Sequence, residues 1–164
     1  IVGVMGSAKS APDWAEAFGA ALAREGWHLL TGGGLGVMEA VSRGFVRSDF
    51  PGRGVCLGIL PEASDRYPNQ WVEIPIRTPL GRFDPVDPER ITRNHLNILT
   101  STAVVALPGN QGTRNECELA LGYGRPLLYL GPPAAFEGFP ASPRVDTIDP
   151  AIAWLRACLG RAGS

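Results

Sequence analysis

The chain has 164 residues, 45% of them hydrophobic and 19% charged, with a formal net charge of -1, which predicts one folded domain spanning residues 1–164 rather than a disordered or fibrous chain. So even a balance lacks the positive field that nonspecific nucleic-acid binding requires, and no run reads as a membrane span or targeting segment, so neither nucleic acid nor a membrane is expected as a partner. Three scattered cysteines, Cys56, Cys117 and Cys158, form no Cys-x-x-Cys pair; they suggest neither a disulfide framework nor a zinc site and fit a reducing cytoplasm.

Residues 1–5 are a short apolar run that ends at Gly6-Ser7, a buried strand opening into a turn. Ser10 as N-cap and Pro12 in the first turn predict a helix that carries Trp14, Phe18, Ala21 and Leu22 on one face and stops at Gly26. Residues 27–30 form a second strand, residues 31–36 a glycine-rich loop, and Val37, Ala40 and Val41 the inner face of the next helix. Residues 55–60 and 71–76 are strands three and four, and the acidic, proline-rich residues 83–88 lead into a helix over 89–99. A fifth strand covers 103–107, a helix 112–121 and a sixth strand 126–130. Residues 131–143 read as surface loop, and a last helix starts near Asp149-Pro150 with Ile152, Leu155 and Leu159 on one face. The faces with Trp14 and Trp154 are core.

Continuously apolar strands that alternate with amphipathic helices predict a single doubly wound, Rossmann-like parallel α/β sheet with helices on both faces. Ligands bind such sheets beyond the carboxyl ends of the strands, where the loops at Gly6, Gly32 and Gly109 would converge.

Thr31-Gly32-Gly33-Gly34-Leu35-Gly36-Val37-Met38-Glu39 places four glycines between a strand and a helix, so that backbone amides near Gly34–Val37 can approach a phosphate at the helix N-terminus. Val37 stands where a dinucleotide fingerprint needs its third glycine, so a redox dinucleotide is not indicated. Gly6-Ser7-Ala8-Lys9-Ser10 lacks the Gly-Lys-Ser/Thr of a P-loop, which speaks against a nucleoside triphosphatase. A second glycine-rich turn, Leu107-Pro108-Gly109-Asn110-Gln111-Gly112-Thr113-Arg114-Asn115-Glu116, also joins a strand to a helix, and the Thr113 hydroxyl can donate to phosphate. Glu116 is placed in the first helical turn, where a capping role competes with a chemical one. Arg90, Thr92, Arg93, Asn94, His95 and Asn97 form a polar cluster that is either solvated surface or part of the same crevice. His28 and His95 have no metal-ligand spacing, so no metal site is expected.

Gly32-Gly33-Gly34-Leu35-Gly36-Val37-Met38 and Pro108-Gly109-Asn110-Gln111-Gly112-Thr113-Arg114-Asn115-Glu116 resemble the G-G-G-x-x-G-x-M and P-G-G-x-G-T-x-x-E motifs of the Lonely Guy (LOG) family, the first shorter by one residue. These nucleoside 5'-monophosphate phosphoribohydrolases are often labelled possible lysine decarboxylases, an activity not expected here. The resemblance covers roughly residues 1–130 and implies Arg93 and Glu116 as catalytic residues. It also implies the turns around Gly6, Ser7, Gly32–Gly36, Val37, Met38, Asn94 and Pro108–Thr113 as the ligand site, with no cofactor required for hydrolysis.

The family's second proline-motif glycine is Asn110 here, and the Lys after its Arg is Asn94. With Gly3-Val4-Met5-Gly6 and Glu118-Leu119-Ala120-Leu121-Gly122-Tyr123-Gly124-Arg125-Pro126, the Arg93-Asn94 pair resembles the related molybdenum cofactor carrier proteins, which hold a pterin phosphate (molybdopterin) without turning it over. The leading expectation is hydrolysis of a nucleoside monophosphate, and the alternative is carriage of the molybdenum cofactor. Both resemblances imply a homodimer or homotetramer.

Overall fold

The computed structural model describes residues 1–62 and 68–160. The chain runs β1 (Val2–Met5), α1 (Ala15–Arg24), β2 (Leu29–Thr31), α2 (Val37–Val46), β3 (Cys56–Leu60), β4 (Ile74–Arg77), α3 (Arg93–Thr100), β5 (Ala103–Ala106), α4 (Gln111–Gly122), β6 (Leu127–Leu130), β7 (Arg144–Val145) and α5 (Ile148–Gly160). The strands form one sheet in the order β4-β3-β2-β1-β5-β6-β7, and every pairing is parallel. This is the expected doubly wound α/β architecture. The chain builds outward from β1 to β4, then crosses back to lay β5 on the other side of β1, in register from Val2↔Ala103 to Met5↔Ala106. Connections leave β1 and β5 in opposite directions, which opens a crevice beyond their carboxyl ends.

The central strands bury both faces, so they read as apolar runs rather than alternating ones. Val2 and Val4 of β1, Val105 of β5 and Leu128 of β6 meet Phe18, Val41, Phe45 and Leu155 from α1, α2 and α5. Met5, Val104, Ala106 and Tyr129 point the other way, against Ile98 of α3 and Cys117 and Ala120 of α4. Helices α1 and α2 cross at backbone contact: a Cβ on Gly19 would lie 2.0 Å from Val41 O, and one on Gly44 1.8 Å from Glu16 O. Trp14 and Trp154 pack half-buried at the margin of the first cluster.

Several boundaries differ from those expected. Helix α1 begins at Ala15, with Trp14 rather than Ser10 at its N-cap. Ser10 belongs to the turn after β1, where its amide and that of Lys9 donate to Ser7 Oγ. Helix α3 begins at Arg93 instead of Glu89, because Thr92 and His95 form a reciprocal capping box that fixes the start there. Strand β4 begins at Ile74, three residues late, since Trp71 N is turned back onto Asn69 Oδ1. The segment after β6 contains a short 3-10 turn, Pro133–Phe136, and is followed by β7. Phe136 stacks on Tyr129 at 4.6 Å between ring centroids, and the Tyr129 hydroxyl donates to Pro140 O, so the segment is tied to the core. Among the described residues no helix is long and apolar enough to cross a membrane.

Candidate functional site

A cleft of about 400 Å³ opens at the β1/β5 crevice, within the size range of small-ligand sites. Of the residues expected to act, Gly6, Met38, Arg93, Asn94, Asn110, Gln111, Gly112, Thr113 and Glu116 line it. Ser7, Gly32, Gly33, Gly34, Gly36, Val37, Pro108 and Gly109 sit outside its lining, in the turns that support its walls. Arg82, Phe83 and Pro85 close one side.

The two lips are bound to each other. Ser7 N donates to Pro108 O at 3.1 Å, joining the turns after β1 and β5, and Val37 N donates to Ser7 O at 2.8 Å, joining the turn after β2 to the same segment. The Val37 amide therefore already has an acceptor within the fold. Gly36, at φ 64°, is where the β2–α2 turn meets the β1 turn: a Cβ there would lie 2.3 Å from Ser7 O. At α4 the Asn110 side chain caps Gly112 N, and Arg114 N returns to Asn110 O. The Gln111 and Thr113 amides are the remaining first-turn donors, at the positive end of the helix dipole.

Arg93 is buried, at 7% exposure, and lies at the N-terminus of α3. Its Nη1 donates to Gly32 O at 2.8 Å and to Ile59 O at 3.2 Å, and a Cβ on Gly32 would fall 1.8 Å from that nitrogen. Arg93 Nε is buried without a partner. The guanidinium is thus pinned by one nitrogen while the buried Nε lacks an acceptor.

Glu116 is the sixth residue of α4, in the second turn rather than the first, so it does not cap the helix. It is the only acidic group among the described residues lining the cleft. Burial pushes its carboxyl above the ordinary value, and the nearby Arg93 charge and the hydrogen bond from Asn97 pull it back only in part. That bond, Asn97 Nδ2 to Glu116 Oε1 at 3.0 Å, comes from α3, one turn after Arg93. Asn94 Nδ2 donates to Asn115 Oδ1 at 3.1 Å, a second bond between α3 and α4. The polar cluster is therefore divided: Thr92, Arg93, Asn94 and Asn97 are buried against the site, while Arg90 is exposed.

Asn97 carried a signal, its i, i+4 spacing from Arg93. Asn69, Arg82, Phe83 and Pro85 carried none, because they lie in aperiodic segments. His28 Nδ1 accepts from Val55 N and His95 Nδ1 from Thr92 N, so both imidazoles serve local backbone. Among the described residues no cluster of His, Cys, Asp and Glu could hold a metal ion.

The geometry can be set beside known proteins. The molybdenum cofactor binding protein of Rippkaea orientalis superposes with a TM-score of 0.78 at 30% identity, covering 96% of each chain. The molybdenum cofactor carrier protein of Chlamydomonas reinhardtii superposes with a TM-score of 0.77 at 31% identity over 97% of each. An uncharacterized protein of Archaeoglobus fulgidus is 33% identical over 118 residues, 71% of this chain and 69% of that one. These neighbours favour the carrier alternative over the leading expectation, and the phosphoribohydrolase reading finds no support among them. The model of the SLOG cluster4 family matches residues 1–148, and the chain belongs to that family.

Proposed function

We propose that the protein binds a pterin phosphate of the molybdenum-cofactor type in the β1/β5 cleft and carries it unchanged. The observation that supports this most is the end-to-end likeness to two proteins described as molybdenum cofactor binding or carrier proteins, at 30–31% identity with neither chain left uncovered by more than a few percent.

The chemistry of the cleft fits such a cargo. A phosphate needs amide donors and positive charge; the Gln111 and Thr113 amides, the Thr113 hydroxyl and the Arg93 guanidinium stand, among the described residues lining the cleft, with one carboxyl. A pterin edge presents alternating donors and acceptors, which Asn94, Asn110 and Gln111 can match, and Phe83 offers an apolar face to a flat ring.

The same wall is poorly equipped for glycosidic hydrolysis. Glycosidic hydrolysis here would ask an ionised Glu116 to stabilise an oxocarbenium-like transition state. Burial works against that ionised form, since it pushes the Glu116 carboxyl above its ordinary value.

Purified protein titrated with molybdopterin is expected to saturate at one cofactor per chain. Incubated with AMP and with a cytokinin ribotide it should release no free base; base and ribose 5-phosphate appearing with turnover would contradict carriage. A dimer or tetramer is proposed as the working assembly, readable by light scattering, where a monomeric mass would contradict it.

A further inference from the structure

The glycine-rich turn after β2 is held from behind in a specific way. Its three successive carbonyls are all engaged: Gly32 O accepts from Arg93 Nη1 at 2.8 Å, Gly33 O from Asn69 N at 2.8 Å, and Gly34 O from Asn69 Nδ2 at 2.7 Å. Asn69 is itself buried, at 5% exposure, and its Oδ1 is fixed by Trp71 N at 3.0 Å. One residue in the β3–β4 connection thus holds two adjacent peptide planes of the β2–α2 turn, the first through its backbone amide and the second through its side chain.

In a trans peptide the N–H points opposite to the C=O. With the Gly33 and Gly34 carbonyls drawn toward Asn69, the Gly34 and Leu35 amides turn to the opposite side. Gly36, two residues on, abuts Ser7 and Ala8 of the turn after β1, and Gly6 and Ala8 of that turn line the cleft. The peptide between Gly34 and Leu35 has a glycine on its N-terminal side, where no Cβ restricts the rotation that reorients the plane. A flipped Gly34 plane would aim its carbonyl oxygen where an anion must sit, so the orientation has to be enforced from outside the turn. A buried polar group beside this turn also lacks a partner: Arg93, 7% exposed, lining the cleft and touching Gly32, has its Nε unpaired.

We infer that Asn69 is a positioning residue that holds the Gly32–Gly34 carbonyls away from the cleft, so that the turn offers only amides to the phosphate of the ligand. The inference rests on the reading of the cleft as a phosphate-bearing ligand's site, but not on that ligand being molybdopterin. Asn69 touches no ligand; it acts through Gly33 and Gly34. Loss of its side chain leaves Gly34 O without a donor, while the backbone bond from Asn69 N to Gly33 O survives, so the local fold persists with one plane released.

The test uses inorganic phosphate as probe, followed by amide proton–nitrogen correlation spectra of the whole chain. In the wild type, phosphate should shift the Gly34, Leu35 and Gly36 amides together with those of Gln111 and Thr113. Asn69→Ala should weaken phosphate binding about tenfold, the equivalent of one lost charge-assisted bond, with the Gly34–Gly36 shifts lost and the Gln111 and Thr113 shifts retained. Asn69→Asp keeps the acceptor for Trp71 N but turns an oxygen on Gly34 O, and should weaken binding at least as much. A merely structural role would shift Tm and leave phosphate affinity of the folded fraction unchanged, which overturns the inference. So does a wild type whose Gly34–Gly36 amides ignore phosphate, a measurement that stands even if neither variant folds. Asn69-dependent phosphate binding in a protein that ignores molybdopterin would uphold the inference and sink the carrier reading.

Discussion

The turn between β2 and α2 is gripped on every side, whereas the turn between β5 and α4 stands half open. In the first, Gly32, Gly33 and Gly34 are buried, and their carbonyls are engaged by Arg93 and Asn69. In the second, Asn110 and Gln111 are exposed, Gly112 is partly so, and a Cβ on Gly112 would meet nothing nearer than Asn110 Oδ1 at 3.5 Å. Two motifs that look alike in sequence therefore divide the work. One is a rigid wall whose backbone orientation is dictated by its neighbours, and the other is a helix N-terminus left accessible to a ligand.

The sharpest way to break this comparison is to put the same small substitution into each turn. Gly36→Ala combines a positive φ with a Cβ 2.3 Å from Ser7 O, a backbone atom that cannot swing aside. It should lower unfolding free energy by about 3 kcal/mol or more, read from the urea midpoint. An effect below about 1 kcal/mol would mean that the turn adjusts freely and is no wall.

Next comes the carboxyl that faces the open turn. Burial in the folded state raises the Glu116 carboxyl above its ordinary value, so the folded state binds the proton more tightly than the unfolded chain does. The stability associated with that proton is fully present below the ordinary carboxylate range and is lost as pH rises through the raised folded value. Glu116→Gln keeps an acceptor for Asn97 and cannot ionise, so it should be more stable than wild type at neutral and alkaline pH. The two Tm curves should converge in acid. A variant less stable than wild type at pH 8 would show that the ionised carboxylate is the favoured form, and the anion site would then need another account.

The smallest effect belongs to Gly112→Ala. Its position inside the first turn of α4 accepts a methyl group, and alanine favours helix, so stability should rise by about 0.5 kcal/mol. Destabilisation would place this turn with the other one and erase the contrast.

Much of this architecture was legible because it rests on periodicity and punctuation. The apolar runs of β1, β5 and β6 have helices on both faces, so nothing in them alternates, and that continuity identified the parallel sheet. The glycines at Gly6, Gly32 and Gly109 fell at strand ends, which located the crevice before any contact was known. What could not be read depended on contacts distant in sequence. Asn69 lies 35 residues from Gly34, in a stretch without period, and β7 is a two-residue addition secured by Phe136 on Tyr129 rather than by strand propensity. Glu116 was misplaced by a turn because the cap is Asn110, and helix α3 began late because Thr92 and His95 cap each other. Motif spacing also favoured hydrolysis, since Arg93 and Glu116 match the residues of that reaction; their burial and partners do not show up in a motif.

The central claim, retention rather than turnover, is tested most directly by titrating molybdopterin into wild type and Glu116→Gln side by side, with base release from AMP followed in the same samples. Carriage predicts one cofactor per chain in both proteins, affinities within about threefold because glutamine resembles the neutral carboxyl, and no free base from either. Base release by the wild type that falls about a hundredfold or more in Glu116→Gln, with little change in ligand affinity, would contradict it.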